Sequence, residues 1–154
     1  MIGASEGLPR LVGAAVVLLA ALLGGCAATP YAGPADDNAA KEFHSADRRG
    51  IVYVYRHERF GAHQPMPLYL DAQFMGRTRG RTFFRWEVAP GEHVIRTGFE
   101  DGKTVRIDVR PGRIYYVWQE IRVGEDGLVS RLSRVGDHRG RRGVRQCALL
   151  VGTR

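Results

Sequence analysis

From Ile51 onward the chain breaks into short runs of β-branched and aromatic residues separated by glycine, proline and aspartate. That is the pattern of an all-β sandwich or barrel. The predicted strands are IVYVYR (51–56), PLYLD (67–71), TFFRWEV (82–88), EHVIRTG (92–98), KTVRIDV (103–109), RIYYVWQEI (113–121) and LVSRLSRV (128–135). About seven strands in this span predict an antiparallel sandwich domain over residues 50–154, ending in a basic C-terminal segment. Period-two alternation within TFFRWEV puts Phe84 and Trp86 with Val88 on the buried face and turns Phe83 outward. A two-sheet sandwich buries one face of each strand. About half of Tyr53, Tyr55, Phe83, Phe84, Trp86, Tyr115, Tyr116 and Trp118 are therefore expected in the core.

Two connections share one chemistry. APGE (89–92) and RPGR (110–113) each place proline before glycine, where proline presets the first turn position and glycine accepts the positive φ of a type II turn. EDGK (100–103) and EDGL (125–128) predict two more tight turns, with Asp101 and Asp126 capping backbone amides, so a meander is expected from Thr82 to Val135.

The N-terminal pattern is different. Leu11 to Leu23 is an unbroken run of thirteen apolar or glycine residues, about 20 Å as a helix. A bilayer core of roughly 30 Å asks for about 20 residues, so a run of this length behind Arg10 predicts the hydrophobic region of a secretory signal peptide. Leu23-Gly24-Gly25-Cys26 resembles the lipobox of bacterial lipoproteins. The resemblance implies a signal peptide over 1–25, cleavage between Gly25 and Cys26, and a lipid on the Cys26 thiol that holds the protein to a membrane. The alternatives are an ordinary signal peptide or a single-pass anchor, with Cys26 incidental. Ala27 in place of aspartate points by the same resemblance to the outer membrane.

Residues 26–49 are rich in alanine, proline and aspartate, a tether composition whose flexible span would be roughly 25–30 Å. DNAAKEF within it is expected to form a helical turn with Phe43 docked on the domain.

Composition narrows the partners. The 154 residues are 44% hydrophobic and 25% charged, with a net charge of +7 carried almost wholly by arginine, since Lys41 and Lys103 are the only lysines. An exported basic protein meets anionic lipid, peptidoglycan carboxylates or acidic envelope proteins rather than nucleic acid. With Cys26 lipidated, Cys147 has no intramolecular partner and reads as a small buried apolar residue, with an intermolecular bridge or reactive thiol as the alternative.

IVYVYR, LYLDAQFMGRT, FFRWEVAPGEHVI, VRPGRIYYV and a basic C-terminal segment, in that order, resemble bacterial lipoproteins bearing the domain of unknown function 2846, over roughly Phe43 to Leu150. The arrangement is also similar to envelope modules with a Pro-Glu-Gly-Ala motif. That resemblance implies an immunoglobulin-like or transthyretin-like sandwich and an envelope location, and supplies fold and location rather than a mechanism. The arginine-dense HRGRRGVR departs most from the pattern.

No catalytic or metal-binding constellation is legible. His44, His57, His63, His93 and His138 contain no pair at helical zinc spacing, and the serines stand in no nucleophile frame. His57, His63 and Glu58 could meet across a loop; a solvated loop is the plainer reading. No cofactor is expected. In GRTRGRTFFRW, Arg77, Arg79, Arg81 and Arg85 share one parity. An extended segment would turn them outward as one row, either a solvated face or an anion-binding stripe. The expected function is a non-enzymatic interaction or structural module on an envelope lipoprotein. The alternative is a periplasmic ligand binder that stacks sugar or peptidoglycan on exposed aromatics.

Overall fold

A computed structural model of the chain describes residues 28–98, 103–125 and 127–152. Two sheets form a sandwich. The first has the order β8-β7-β1-β4-β9 and the second β3-β2-β5-β6. The strands are β1 Gly50–Arg56, β2 Met66–Leu70, β3 Gln73–Thr78, β4 Thr82–Val88, β5 Gly91–Thr97, β6 Thr104–Val109, β7 Ile114–Gly124, β8 Gly127–Val135 and β9 Ala148–Leu149. Among the described residues these strands are joined by two helices, α1 Pro34–Ala40 and α2 Asp137–Arg145. All seven expected strands are present.

The pairing differs from a purely antiparallel scheme in two places, because β1 runs parallel to β7 and β9 parallel to β4. The reason for the first lies at the RPGR turn. Gly112 N–H donates to the carbonyls of Ala46 and Arg49, and Ile51 N–H to that of Arg113, so β1 and β7 start side by side. Nor is the segment from Thr82 to Val135 a single meander. β4 and β7 belong to the first sheet and β5 and β6 to the second, so both Pro-Gly turns are corners that carry the chain between sheets. Of the expected EDG turns, Asp101 and Asp126 lie outside the described residues, while β7 and β8 pair up to Gly124 and Gly127.

Phe84, Trp86 and Val88 face the other sheet in a core with Val52, Val54, Leu68, Ile95, Ile107 and Val117. Phe83 is a correction: it is fully buried too. The outer face of the five-stranded sheet is covered by Phe43 and α2, and Phe83 joins Ile51, Tyr53, Tyr55, Tyr116 and Val144 in a second core beneath them. β1 is buried along its whole length, and its unbroken apolar run is what a strand covered on both faces requires.

The expected tether is also corrected. From Thr29 onward it is docked rather than free. The Thr29 hydroxyl accepts the Arg77 N–H of β3 at 2.8 Å, and Tyr31 bridges Leu150. Ala32 N–H donates to the Leu149 carbonyl, and Val151 N–H to that of Pro30, each at 2.9 Å. This short stretch ties β3, the edge of one sheet, to β9, the edge of the other. Phe43 docks on the domain as expected, buried against Tyr53 and Tyr116.

Candidate functional site

The basic segment DHRGRRGVR forms α2, and two of its glycines explain how. A Cβ at Gly140 would lie 2.1 Å from Cγ of Tyr116, and one at Gly143 2.1 Å from Cε2 of Tyr55. Three positions apart, the two glycines fall on one helix face, so the helix backbone rests directly on two tyrosine rings. The remaining side chains must point elsewhere. His138, Arg139, Arg142 and Arg145 are exposed. The Arg139 guanidinium lies 4.5 Å from the Trp118 ring centroid, and Arg141 and Arg145 lie 5.0 and 5.3 Å from that of Phe43. Arg141 also pairs with Asp137 at 2.9 Å. Arg142 has no ion-pair partner among the described residues.

A cleft of about 270 Å³ opens between α2 and the end of β1, lined by Tyr55, His57, Arg139, Arg142, Gly143 and Gln146. Its floor is polar and tightly packed. Tyr55 is fully buried, and its hydroxyl has no hydrogen-bond partner among the described residues. Burial pushes that phenol up to about 12, against the pull of Arg139. The His57 ring sits between Tyr55 and Trp118, at 5.7 and 5.5 Å. Trp118 donates its indole N–H to Glu58. Arg56, fully buried, donates to the carbonyls of Gln64 and Gly61 and so fixes the 57–65 loop; burial lowers its pKa, with Glu58 opposing. Cys147 lies beneath, its sulfur 3.3 Å from the Gly143 carbonyl. Burial raises this thiol to about 12, first of all through desolvation, which keeps it protonated and inert. Guanidinium forks at the mouth of such a cleft suit a carboxylate or phosphate.

The expected arginine row divides. Arg77 ends on β3 of one sheet, Arg85 lies on β4 of the other, and Arg81 sits at the break with φ 59°. Arg85 stands opposite Tyr53 on the helix-covered face, away from the β3 edge. Arg77 and Arg79 stay together. They line a cleft of about 220 Å³ with Ala28, Thr29, Tyr31, Pro65 and Leu150, where the N-terminal stretch docks. Gly25 and Cys26 lie outside the described residues. Among the described residues no three of His, Cys, Asp and Glu are placed to hold a metal, and His63 is exposed.

The family model described as "Protein of unknown function (DUF2846)" matches residues 46–130. The chain belongs to the DUF2846 family. In this DUF2846 protein the matched stretch runs from the residues before β1 into β8, and both helices and β9 lie outside it. An uncharacterized protein of Haemophilus influenzae is 28% identical over 140 residues, 90% of this chain and 83% of that protein. No solved structure matches the chain. The basic helix was legible only as charge: glycine is a poor helix former, so the two glycines in RGRRG point away from a helix until the rings beneath them are known.

Proposed function

We propose that this DUF2846 protein is an envelope lipoprotein, held to the outer membrane by a lipid on Cys26, and that its sandwich is a non-enzymatic interaction module. Its binding face is α2, which offers Arg139 and Arg142 to acidic groups of an envelope protein or of peptidoglycan. One observation carries this reading: Gly140 and Gly143 seat the helix on Tyr116 and Tyr55, which leaves Arg139, Arg142 and Arg145 exposed on its outer side, Arg142 without an ion-pair partner among the described residues. The alternative, sugar stacking on sheet aromatics, has fewer rings to draw on, because Tyr53, Tyr55, Phe83, Phe84, Trp86 and Tyr116 are buried and only Tyr115 and Trp118 of the eight are partly exposed.

Labelled palmitate should mark the wild type and not Cys26→Ala. A photo-crosslinker in place of Gln146, which borders the cleft, should capture a discrete envelope species in intact cells. Arg142→Glu should abolish that product and leave the thermal midpoint unchanged. Equal palmitate labelling of the two proteins removes the anchor; a product indifferent to Arg142→Glu removes the basic face.

A further inference from the structure

The docked N-terminal stretch limits where a membrane can lie. Thr29 is fixed to β3 through the Arg77 N–H, and residues 30–32 are fixed to 149–151. Cys26 is three residues before Thr29. Three residues of chain reach about 11 Å at most, so a lipid on Cys26 would bring the domain against its leaflet by this edge and no other.

The edge has a surface suited to that. Tyr31 and Val151, two of the six large apolar side chains exposed among the described residues, are 57% and 49% accessible and lie in the paired stretches 30–32 and 149–151. Arg79 is exposed beside them, and Arg77 is half-buried with its guanidinium 5.2 Å from the Phe74 ring. Neither arginine has an ion-pair partner among the described residues. A tyrosine with an apolar body and a polar tip suits the headgroup level of a bilayer, and guanidinium groups bind phosphate oxygens through paired N–H donors.

We propose that the face formed by Tyr31, Val151, Arg77 and Arg79 lies on the phosphate headgroups of the leaflet that holds the lipid on Cys26. The inference rests on the lipoprotein reading given above. It fixes an orientation: the β3–β9 edge is proximal to the membrane. The opposite edge of the four-stranded sheet, β6, stands three strand spacings farther out, roughly 14 Å. The α2 face, over β1 and β7, is then left free for a partner.

The test uses the full-length lipidated protein in vesicles of phosphatidylethanolamine and phosphatidylglycerol. An environment-sensitive fluorophore is placed on Val151→Cys or, as the distal control, on Arg106→Cys of β6. The fluorophore at 151 should be blue-shifted and quenched by headgroup spin-labelled lipid, while the one at 106 should report water. Adding Arg77→Gln and Arg79→Gln should reduce quenching at 151 by at least half, without altering palmitate incorporation or the thermal midpoint. In vesicles of phosphatidylcholine alone, whose headgroups carry no net charge, quenching at 151 should weaken. Equal quenching at both positions or stronger quenching at 106 overturns the orientation, and quenching at 151 that survives the arginine substitutions overturns the contact of Arg77 and Arg79 with the headgroups. A palmitate-labelled chain with a water-exposed fluorophore at 151 removes this inference alone, whereas a chain that takes no palmitate removes the anchor itself.

Discussion

At the scale of single residues, two glycines decide where a helix sits. Replacing glycine by alanine inside a helix normally favours the helix by about 1 kcal/mol. At Gly140 and Gly143 the added methyl would meet ring carbons at 2.1 Å, far inside contact distance. Tyr55 and Tyr116 are buried among their neighbours and have nowhere to move, so the overpacking cost of roughly 1–3 kcal/mol wins. Gly140→Ala and Gly143→Ala should each lower the thermal midpoint, a loss of up to roughly 2 kcal/mol net of the helix gain, while Arg142→Ala, on the exposed side, should change it little. Midpoints that rise in the glycine variants would show that α2 does not rest on the rings.

At the scale of elements, the Pro-Gly corners hold the two sheets in register. Gly112 has φ 70° and Gly91 φ 133°, a region in which β-branched residues are strained. The Gly112 N–H also ties the β6–β7 corner to the chain just before β1. Gly112→Val and Gly91→Val should each destabilise the domain by about 1–3 kcal/mol, read as a lower denaturation midpoint; unchanged midpoints in both would contradict the corners. Sequence located these turns because Pro-Gly is a strong signal. It gave no comparable sign of β3. The β2–β3 hairpin turns through Asp71 and Ala72, with φ 49° and 68°, where Asn-Gly or Asp-Gly is the usual signature. The turn is secured instead from outside, by the Val94 N–H on one Asp71 oxygen and His93 on the other. Burial of Asp71 opposes ionisation, and these two contacts outweigh it, holding the carboxyl below its ordinary range.

At the scale of the whole molecule, the second core makes the fold sensitive to alkali. Burial raises Tyr53, Tyr55 and Tyr116, with Tyr55 at about 12, and raises the Cys147 thiol to about 12. Unfolded, these groups lose their protons near pH 8.5 for the thiol and about 10 for the phenols. The folded state holds them more tightly, so their contribution to stability is whole below those values and falls as pH climbs toward 12. The thermal midpoint should therefore drop steeply between about pH 9 and 12, with tyrosinate absorbance rising together with unfolding. Cys147 should resist thiol reagents until then. Tyrosines that titrate near 10 in a chain that stays folded would contradict a buried aromatic layer.

The seven principal strands, the two proline-glycine corners and the inward set Phe84, Trp86 and Val88 are all legible in the residues of the chain. These follow from local signals, period-two alternation and turn chemistry, which act over a few residues. What covers the other face of the five-stranded sheet follows from packing between distant segments. Alternation separates Phe83 from Phe84 but is silent on whether a helix lies over Phe83, because that depends on α2, more than fifty residues away in the chain. The same holds for the arginines. Parity aligned Arg77, Arg79, Arg81 and Arg85, yet a break at Arg81 sends β3 and β4 to different sheets and leaves only Arg77 and Arg79 together. Composition read 26–49 as a tether, and pairing with 149–151 docks it from Thr29. Each of these outcomes was set by long-range contacts, which a reading of neighbouring residues does not contain.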